Sequence, residues 1–123
     1  MKNTPPQESL LAPRKLKLLV TVVNREKTEF FVDLIQSFEV NLQTTMVARG
    51  TASKDTLRLL GLGESDKTVI LSIIREDMCD KALTTLEQKF KTIKNGKGIA
   101  YTIPMTGTIG VAIYQFLSNT PSR

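Results

Sequence analysis

The chain of 123 residues is long enough for one domain, and its 41% hydrophobic content is enough for an ordinary core. It has no histidine and one cysteine, Cys79, so an intrachain disulfide, a Cys/His nucleophile pair and the usual transition-metal clusters are excluded. Its net charge of +5 suits an anionic ligand, an acidic partner or a nucleic acid. A nucleic acid is the weakest of these, because the cations are dispersed and stacking aromatics are few.

The two ends of the chain differ from its middle. Residues 1–14 carry three prolines and no regular period, which predicts a flexible N-terminal arm. No stretch approaches the roughly 18 apolar residues of a transmembrane segment, and the first residues lack the pattern of a secretion signal. We therefore expect a cytoplasmic protein with one domain over residues 15–117 and a polar tail over 118–123.

The predicted elements begin with a strand over residues 15–23. Its strongly apolar face carries Leu16, Leu18, Val20 and Val22. A helix follows, with Asn24 as its N-cap and an aromatic stripe that is typical of a core. A second strand is predicted over residues 40–52, a loop over 53–66 and a buried third strand over 67–75.

A second helix is predicted after Asp77, followed by a glycine turn, a strand over 99–105 and a last strand over 109–117. This order predicts an α+β fold, the ferredoxin-like βαββαβ sandwich with an additional C-terminal strand. If the helices cover the strongly apolar face of the first strand, Leu19 and Val23 remain apolar on the open face. Self-association through that face is the simplest way to cover it.

The glycine turn, KTIKNGKGIAYTIPM over residues 91–105, has the outline of an anion site. Gly96 and Gly98 allow the backbone to come close to a bound group, and Lys91, Lys94 and Lys97 place positive charge beside it. Ordinary turn chemistry between a helix and a strand explains the same two glycines.

The loop over residues 53–66 is broken in pattern but rich in leucine, and a loop of this length is often functional. Its leucines could cover a subunit or a protein partner, or could form a short helical turn folded back on the domain. The candidate partner-binding residues of the loop are Ser53, Thr56, Leu57, Leu59, Leu60 and Leu62.

Catalysis has little support in the sequence. The carboxylates fall at helix surfaces and caps, and no nucleophile is paired with a base. Cys79 falls among apolar residues and is interpreted as a small core side chain rather than a reactive thiol. We therefore expect a protein that is not an enzyme.

Over residues 15–105, and most closely over 73–105, the chain resembles the PII nitrogen-regulatory signalling proteins. The matching features are an acidic start to the second helix, a lysine and a threonine along it, the glycine pair and a proline closing the strand. These are Glu76, Asp77, Lys81, Thr92, Gly96, Gly98 and Pro104.

The resemblance implies a homotrimer that binds ATP, ADP or AMP as effectors in clefts between subunits and requires no cofactor. It also implies a T-loop over residues 50–66, which leaves after Arg49 and Gly50 and docks on a transporter or metabolic enzyme, in nitrogen or related metabolism. Lys67 falls where the family has a lysine that contacts phosphates or 2-oxoglutarate. The candidate ligand-binding residues are then Arg49, Gly50, Lys67, Thr92, Lys94, Gly96, Lys97 and Gly98.

The chain departs from the family at the phosphate contacts. Ile99 replaces a lysine, Lys97 replaces an aspartate, and two arginines are missing from the uncharged segment 106–111. Loss of these cations weakens a triphosphate site, although Lys94 and Lys97 could compensate in part. The alternative is an interaction module that binds no nucleotide and contacts a protein partner through the leucine-rich loop.

Overall fold

Four strands and two helices form the part of the chain that this computed structural model describes, residues 15–49 and 66–107. In chain order they are β1 (Leu16–Asn24), a 3-10 turn (Arg25–Lys27), α1 (Thr28–Gln36), β2 (Leu42–Ala48), β3 (Lys67–Arg75), α2 (Glu76–Thr92) and β4 (Gly98–Pro104). The predicted arm, most of the T-loop-like segment, the C-terminal strand and the tail lie outside the described residues.

The strands form one antiparallel sheet in the order β2-β3-β1-β4. Its two central strands, β1 and β3, pair along their whole length, from Leu16 opposite Arg75 to Asn24 opposite Lys67. Each helix connects two strands that have another strand between them. The predicted α+β, ferredoxin-like βαββαβ arrangement is therefore confirmed for the described residues.

Both helices pack on one face of the sheet and form the core there. The core residues that are fully inaccessible to solvent are Leu19, Val23, Phe31, Ile35, Ile70, Ile74, Ala82 and Leu86. The ring of Phe31 links the two helices, because it lies 5.3 Å from the ring of Phe90, centroid to centroid. Burial of each large apolar side chain contributes about 1.5–3 kcal/mol, so this layer supplies much of the stability of the domain.

The predicted orientation of β1 is wrong. The helices cover Leu19, Thr21 and Val23, and the strongly apolar set that includes Leu18 and Val22 lies on the opposite face. The alternation of side chains along a strand shows which residues share a face, but not which face the helices cover. Right-handed crossover connections make that choice, and β1 is apolar enough on both faces to allow it.

The predicted helix caps are also wrong. α1 begins at Thr28, after the 3-10 turn, and Asn24 makes no side-chain cap. α2 begins at Glu76, and Asp77 lies in its first turn, where its charge is still favourable to the helix dipole. The Asp77 carboxylate instead accepts a hydrogen bond from Arg75 Nε at 3.0 Å.

Arg75 forms ion pairs at the end of the sheet at which α2 begins. Its side chain is 9% exposed and also donates to Glu39 Oε1 at 3.1 Å. The hydrogen bond to Asp77 is the main reason that the pKa of Arg75 is raised. Glu39, the partner of Arg75 at the turn after α1, has a φ of 63°, a left-handed conformation that is uncommon for a glutamate.

Cys79 is a core residue, as predicted. It is 5% exposed, and its thiol donates to the carbonyl oxygen of Arg75 at 3.5 Å. Burial raises the pKa of the thiol, so little of the nucleophilic thiolate form is present at neutral pH.

Candidate anion site at the basic end of the sheet

One end of the sheet brings together most of the described residues that the sequence predicts for ligand binding. Because neighbouring strands are antiparallel, β1 and β2 end where β3 and β4 begin. Ala48 is paired with Lys67 in the register, and Val23 is paired with Gly98. Arg49, Lys67 and the turn between α2 and β4 therefore lie at this end, which we call the basic end.

Lys67 is the most buried cation of the basic end, with 3% of its surface exposed. Its ammonium donates a hydrogen bond to Asn24 Oδ1 at 2.6 Å. Burial lowers the pKa of Lys67, and the negative charge of Asp66 acts in the opposite direction. A positive charge held among polar groups at this end of the sheet favours the binding of an anion.

Asn24 connects Lys67 with the glycine turn. Its amide Nδ2 donates to the carbonyl oxygen of Asn95 at 2.8 Å. Asn95 has a φ of 58°, and the turn is closed by a hydrogen bond from the Gly96 amide to the Ile93 carbonyl at 3.0 Å. A chain of hydrogen bonds therefore joins the start of β3 to the turn before β4.

An ion-pair cluster lies where the T-loop-like segment leaves and rejoins the sheet. Asp66 Oδ2 lies 3.5 Å from Arg25 Nη1, and Asp66 Oδ1 lies 3.9 Å from Arg49 Nη2. The two arginine side chains are 63% and 85% exposed. Exposed pairs of this kind add little stability, and with two arginines to one aspartate the cluster keeps a net positive charge.

The two glycines of the turn are explained by the packing of the chain itself. A Cβ at Gly98 would lie 2.6 Å from the Val22 carbonyl oxygen and 2.9 Å from a ring carbon of Phe90. A Cβ at Gly96 would lie 2.8 Å from Cβ of Ile93. Both glycines are needed for close backbone approach even without a ligand, so they are not by themselves signs of a phosphate site.

The other predicted residues differ in their surroundings. Thr92 donates its hydroxyl to the Gln88 carbonyl at 3.0 Å, so this group is engaged within α2. Lys94 and Lys97 are exposed on either side of Asn95. Gly50 and the six candidate residues of the loop lie outside the described residues.

An open groove of about 450 Å³ adjoins the basic end and shares Arg25 with it. It runs between the start of α1 and the edge strand β2. Inside it, the hydroxyl of Thr28 lies 2.7 Å from the hydroxyl of Thr68. The lining residues are Arg25, Glu26, Thr28, Glu29, Thr45, Met46, Val47 and Thr68.

Four residues of the basic end are not among those that the sequence predicts for ligand binding: Asn24, Arg25, Asp66 and Asn95. The local sequence indicates only a helix cap for Asn24 and the last position of a loop for Asp66. The antiparallel pairing of β1 with β3 places Asn24 opposite Lys67. That pairing follows from the predicted topology, so it was a usable signal.

Two features are absent from the described ranges. Within residues 15–49 and 66–107, no three His, Cys, Asp or Glu side chains are grouped as metal ligands would be. Neither of the two helices in those ranges has the length and apolar character needed to cross a membrane.

Comparisons with known proteins succeed at the level of structure. No family model matches the sequence, and no curated protein matches it. A structure of CPII from Thiomonas intermedia K12, bound to ADP, AMP and acetate, has a TM-score of 0.61 at 19% identity, covering 77% of this chain and 91% of that one. The same protein, described as a nitrogen regulatory PII-like protein, has also been solved with ADP, AMP and bicarbonate.

Two further structures widen the comparison. A candidate PII-like signalling protein from Thermus thermophilus has a TM-score of 0.56 at 20% identity, covering 75% of this chain and 87% of that one. Arabidopsis thaliana PII bound to citrate has a TM-score of 0.54 at 13% identity, covering 76% and 79%. At these identities the similarity establishes architecture, and the chain has the ferredoxin-like fold of the PII-like signalling proteins, as its sequence resemblance predicted.

Proposed function

We propose that this protein is a divergent PII-like regulator that binds an anionic small molecule, most readily an adenine nucleotide, at the basic end of its sheet. In this proposal the loop over residues 50–66 responds to the ligand and contacts a target protein, such as a transporter or metabolic enzyme. The protein acts by binding and carries out no catalysis.

The observation that carries the proposal is the position of Lys67. This buried ammonium lies between the ends of the T-loop-like segment and a hydrogen-bonded path to the glycine turn. Arg25 and Arg49 add positive charge at the same end. Structures that share this fold have been solved with ADP and AMP.

The nature of the nucleotide follows from the cations that are missing. Ile99, which stands where the family has a lysine, lies in β4 and pairs with Val22 in the sheet. The described residues of the segment after β4 are uncharged. Each additional phosphate needs its own compensating donors, so we expect ADP or AMP to bind at least as tightly as ATP.

Isothermal titration of the purified protein with ATP, ADP and AMP tests this proposal. The replacement Lys67→Met should lower the affinity for the nucleotide that binds most tightly by roughly ten- to a hundredfold. This is the value of one hydrogen bond to a charged group. Lys81→Met is a matched control, because Lys81 is exposed in the second turn of α2, which begins at the opposite end of the sheet. It should leave the affinity within about twofold of wild type, as expected for a distant surface charge.

Absence of heat with all three nucleotides would contradict the nucleotide proposal. The alternative, an interaction module that binds a protein through the leucine-rich loop, would then be favoured. One observation already supports that alternative, because packing within the chain accounts for both glycines of the turn.

A further inference from the structure

Asn24 lies between two segments that are far apart in sequence. It is 43 residues from Lys67, which begins β3, and 71 residues from Asn95, which lies in the glycine turn. Its backbone is fixed at the end of β1 by pairing with Lys67. The half-buried side chain therefore reaches both partners from an anchored position.

The chemistry of the partners determines the orientation of the Asn24 amide. An ammonium can only donate, so it must face Oδ1, and a backbone carbonyl can only accept, so Asn95 must face Nδ2. A flipped amide would place donor against donor and acceptor against acceptor. Among similar-sized side chains, an aspartate keeps only the acceptor and a leucine keeps neither group.

The turn depends on the position of Asn95. This residue has a left-handed backbone, with φ of 58°, a conformation that asparagine adopts more readily than most other residues. Lys94 and Lys97 stand on either side of it, so the place of the Asn95 carbonyl helps to set where these two exposed cations project.

We propose that Asn24 is a positioning residue that couples Lys67 to the glycine turn. Binding of an anion at Lys67 then also affects the turn that carries Lys94 and Lys97. The identity of the ligand rests on the proposed function, whereas the coupling itself does not.

The coupling can be measured in the protein without ligand. Hydrogen exchange of the backbone amides over residues 93–97 should be about two- to tenfold faster in Asn24→Leu and in Lys67→Met, as expected for the loss of one hydrogen bond. The double variant should exchange no faster than Asn24→Leu alone, because the two changes break one path. Additive effects, or an unchanged turn in Lys67→Met, would overturn the proposal.

Two further variants separate coupling from general loosening. Asn24→Asp keeps an acceptor for Lys67 but cannot donate to Asn95, so its turn should exchange as fast as in Asn24→Leu while the start of β3 stays protected. If Asn24→Leu does not fold, Asn24→Asp and Lys67→Met are sufficient for the test. Thr28→Val removes hydrogen bonds to Arg25 and Thr68 at the same end, and should leave the turn unchanged.

The same hydrogen-exchange measurement is made with ADP bound. In wild type ADP should slow exchange both at the start of β3 and over residues 93–97, and in Asn24→Asp only at the start of β3. Equal protection of the turn in both proteins would overturn the coupling. If ADP does not bind wild type, the nucleotide proposal fails, and the ligand-free measurements still decide whether Asn24 couples the two segments.

Discussion

Lys67 is the residue on which the proposed anion site depends most. Its ammonium is buried, its pKa lies below the ordinary value of 10.5, and it donates a hydrogen bond to the neutral side chain of Asn24. The sequence resemblance identified this lysine, but its contact with Asn24 could not be recognised from local sequence. Asn24 precedes a helix, where an N-cap is the usual interpretation, and only the pairing of two distant strands gives it another partner.

The lowered pKa of Lys67 predicts how stability changes with pH. Between its pKa in the folded protein and 10.5, the unfolded chain binds the proton more tightly, so folding becomes more favourable as pH rises through that window. Urea unfolding of wild type and Lys67→Met measures this effect. Relative to the variant, the free energy of unfolding of wild type should increase between neutral pH and 10.5. A difference that is constant with pH would contradict the burial of this charge.

Anion binding should show the opposite trend over the same window. A bound anion favours the charged form of Lys67, so affinity should fall as pH rises through the lowered pKa. In Lys67→Met this part of the pH dependence should be absent. Titrations with ADP at several pH values, in both proteins, measure it.

Among the secondary-structure elements, β3 matched its prediction over residues 67–75, because a continuous apolar run with charged ends leaves little choice. β1 and β4 were each displaced by one residue, and α1 began later than expected. The helix starts could not be predicted because the candidate caps form other hydrogen bonds, Asn24 with the distant Asn95 and Asp77 with the nearby Arg75. Periodicity therefore predicted the elements, whereas the helix starts depended on hydrogen bonds that periodicity does not show.

The junction of β4 with β1 depends on Gly98. A Cβ there would meet the Val22 carbonyl oxygen and the ring of Phe90, so Gly98→Ala must push β4 or α2 away from β1. We expect a loss of about 1–3 kcal/mol in the free energy of unfolding, as for other overpacked sites. Urea denaturation followed by circular dichroism measures this loss.

Gly107→Ala is the matched control for that experiment. Among the described residues, and apart from its chain neighbours, no heavy atom lies within 4 Å of the position that its Cβ would take. The change should therefore stay within about 0.5 kcal/mol of wild type, as for most surface substitutions. Equal effects of the two substitutions would show that β4 does not approach β1 so closely.

At the scale of the whole molecule, the face of the sheet opposite the helices is the main unexplained feature. It is apolar on all four strands: Leu42 and Met46 from β2, Val69, Leu71 and Ile73 from β3, Leu18, Val20 and Val22 from β1, and Ile99, Tyr101 and Ile103 from β4. The sequence predicted an uncovered apolar face but assigned it the wrong residues of β1. The two edge strands leave four large side chains of this face 45–48% exposed: Leu42, Met46, Tyr101 and Ile103.

The sequence resemblance implies three copies of the chain, and we propose that they cover this face in a homotrimer, because four large apolar side chains exposed on one face are unusual on a monomer. Sedimentation equilibrium should then give three times the chain mass of 13.7 kDa for wild type. Ile103→Asp should shift the protein toward monomer, since it would bury an unpaired charge in the interface. The exposure of Ile103 in the single chain allows the folded monomer to tolerate that charge.

Phe30→Asp is the control for that shift. Phe30 is also a large exposed side chain, 41% accessible, but it belongs to α1, and the helices pack on the other face of the sheet. This variant should remain trimeric. A monomeric wild type, or an Ile103→Asp variant that stays trimeric, would contradict assembly through the open face, and the ligand site would then have to be complete within one chain.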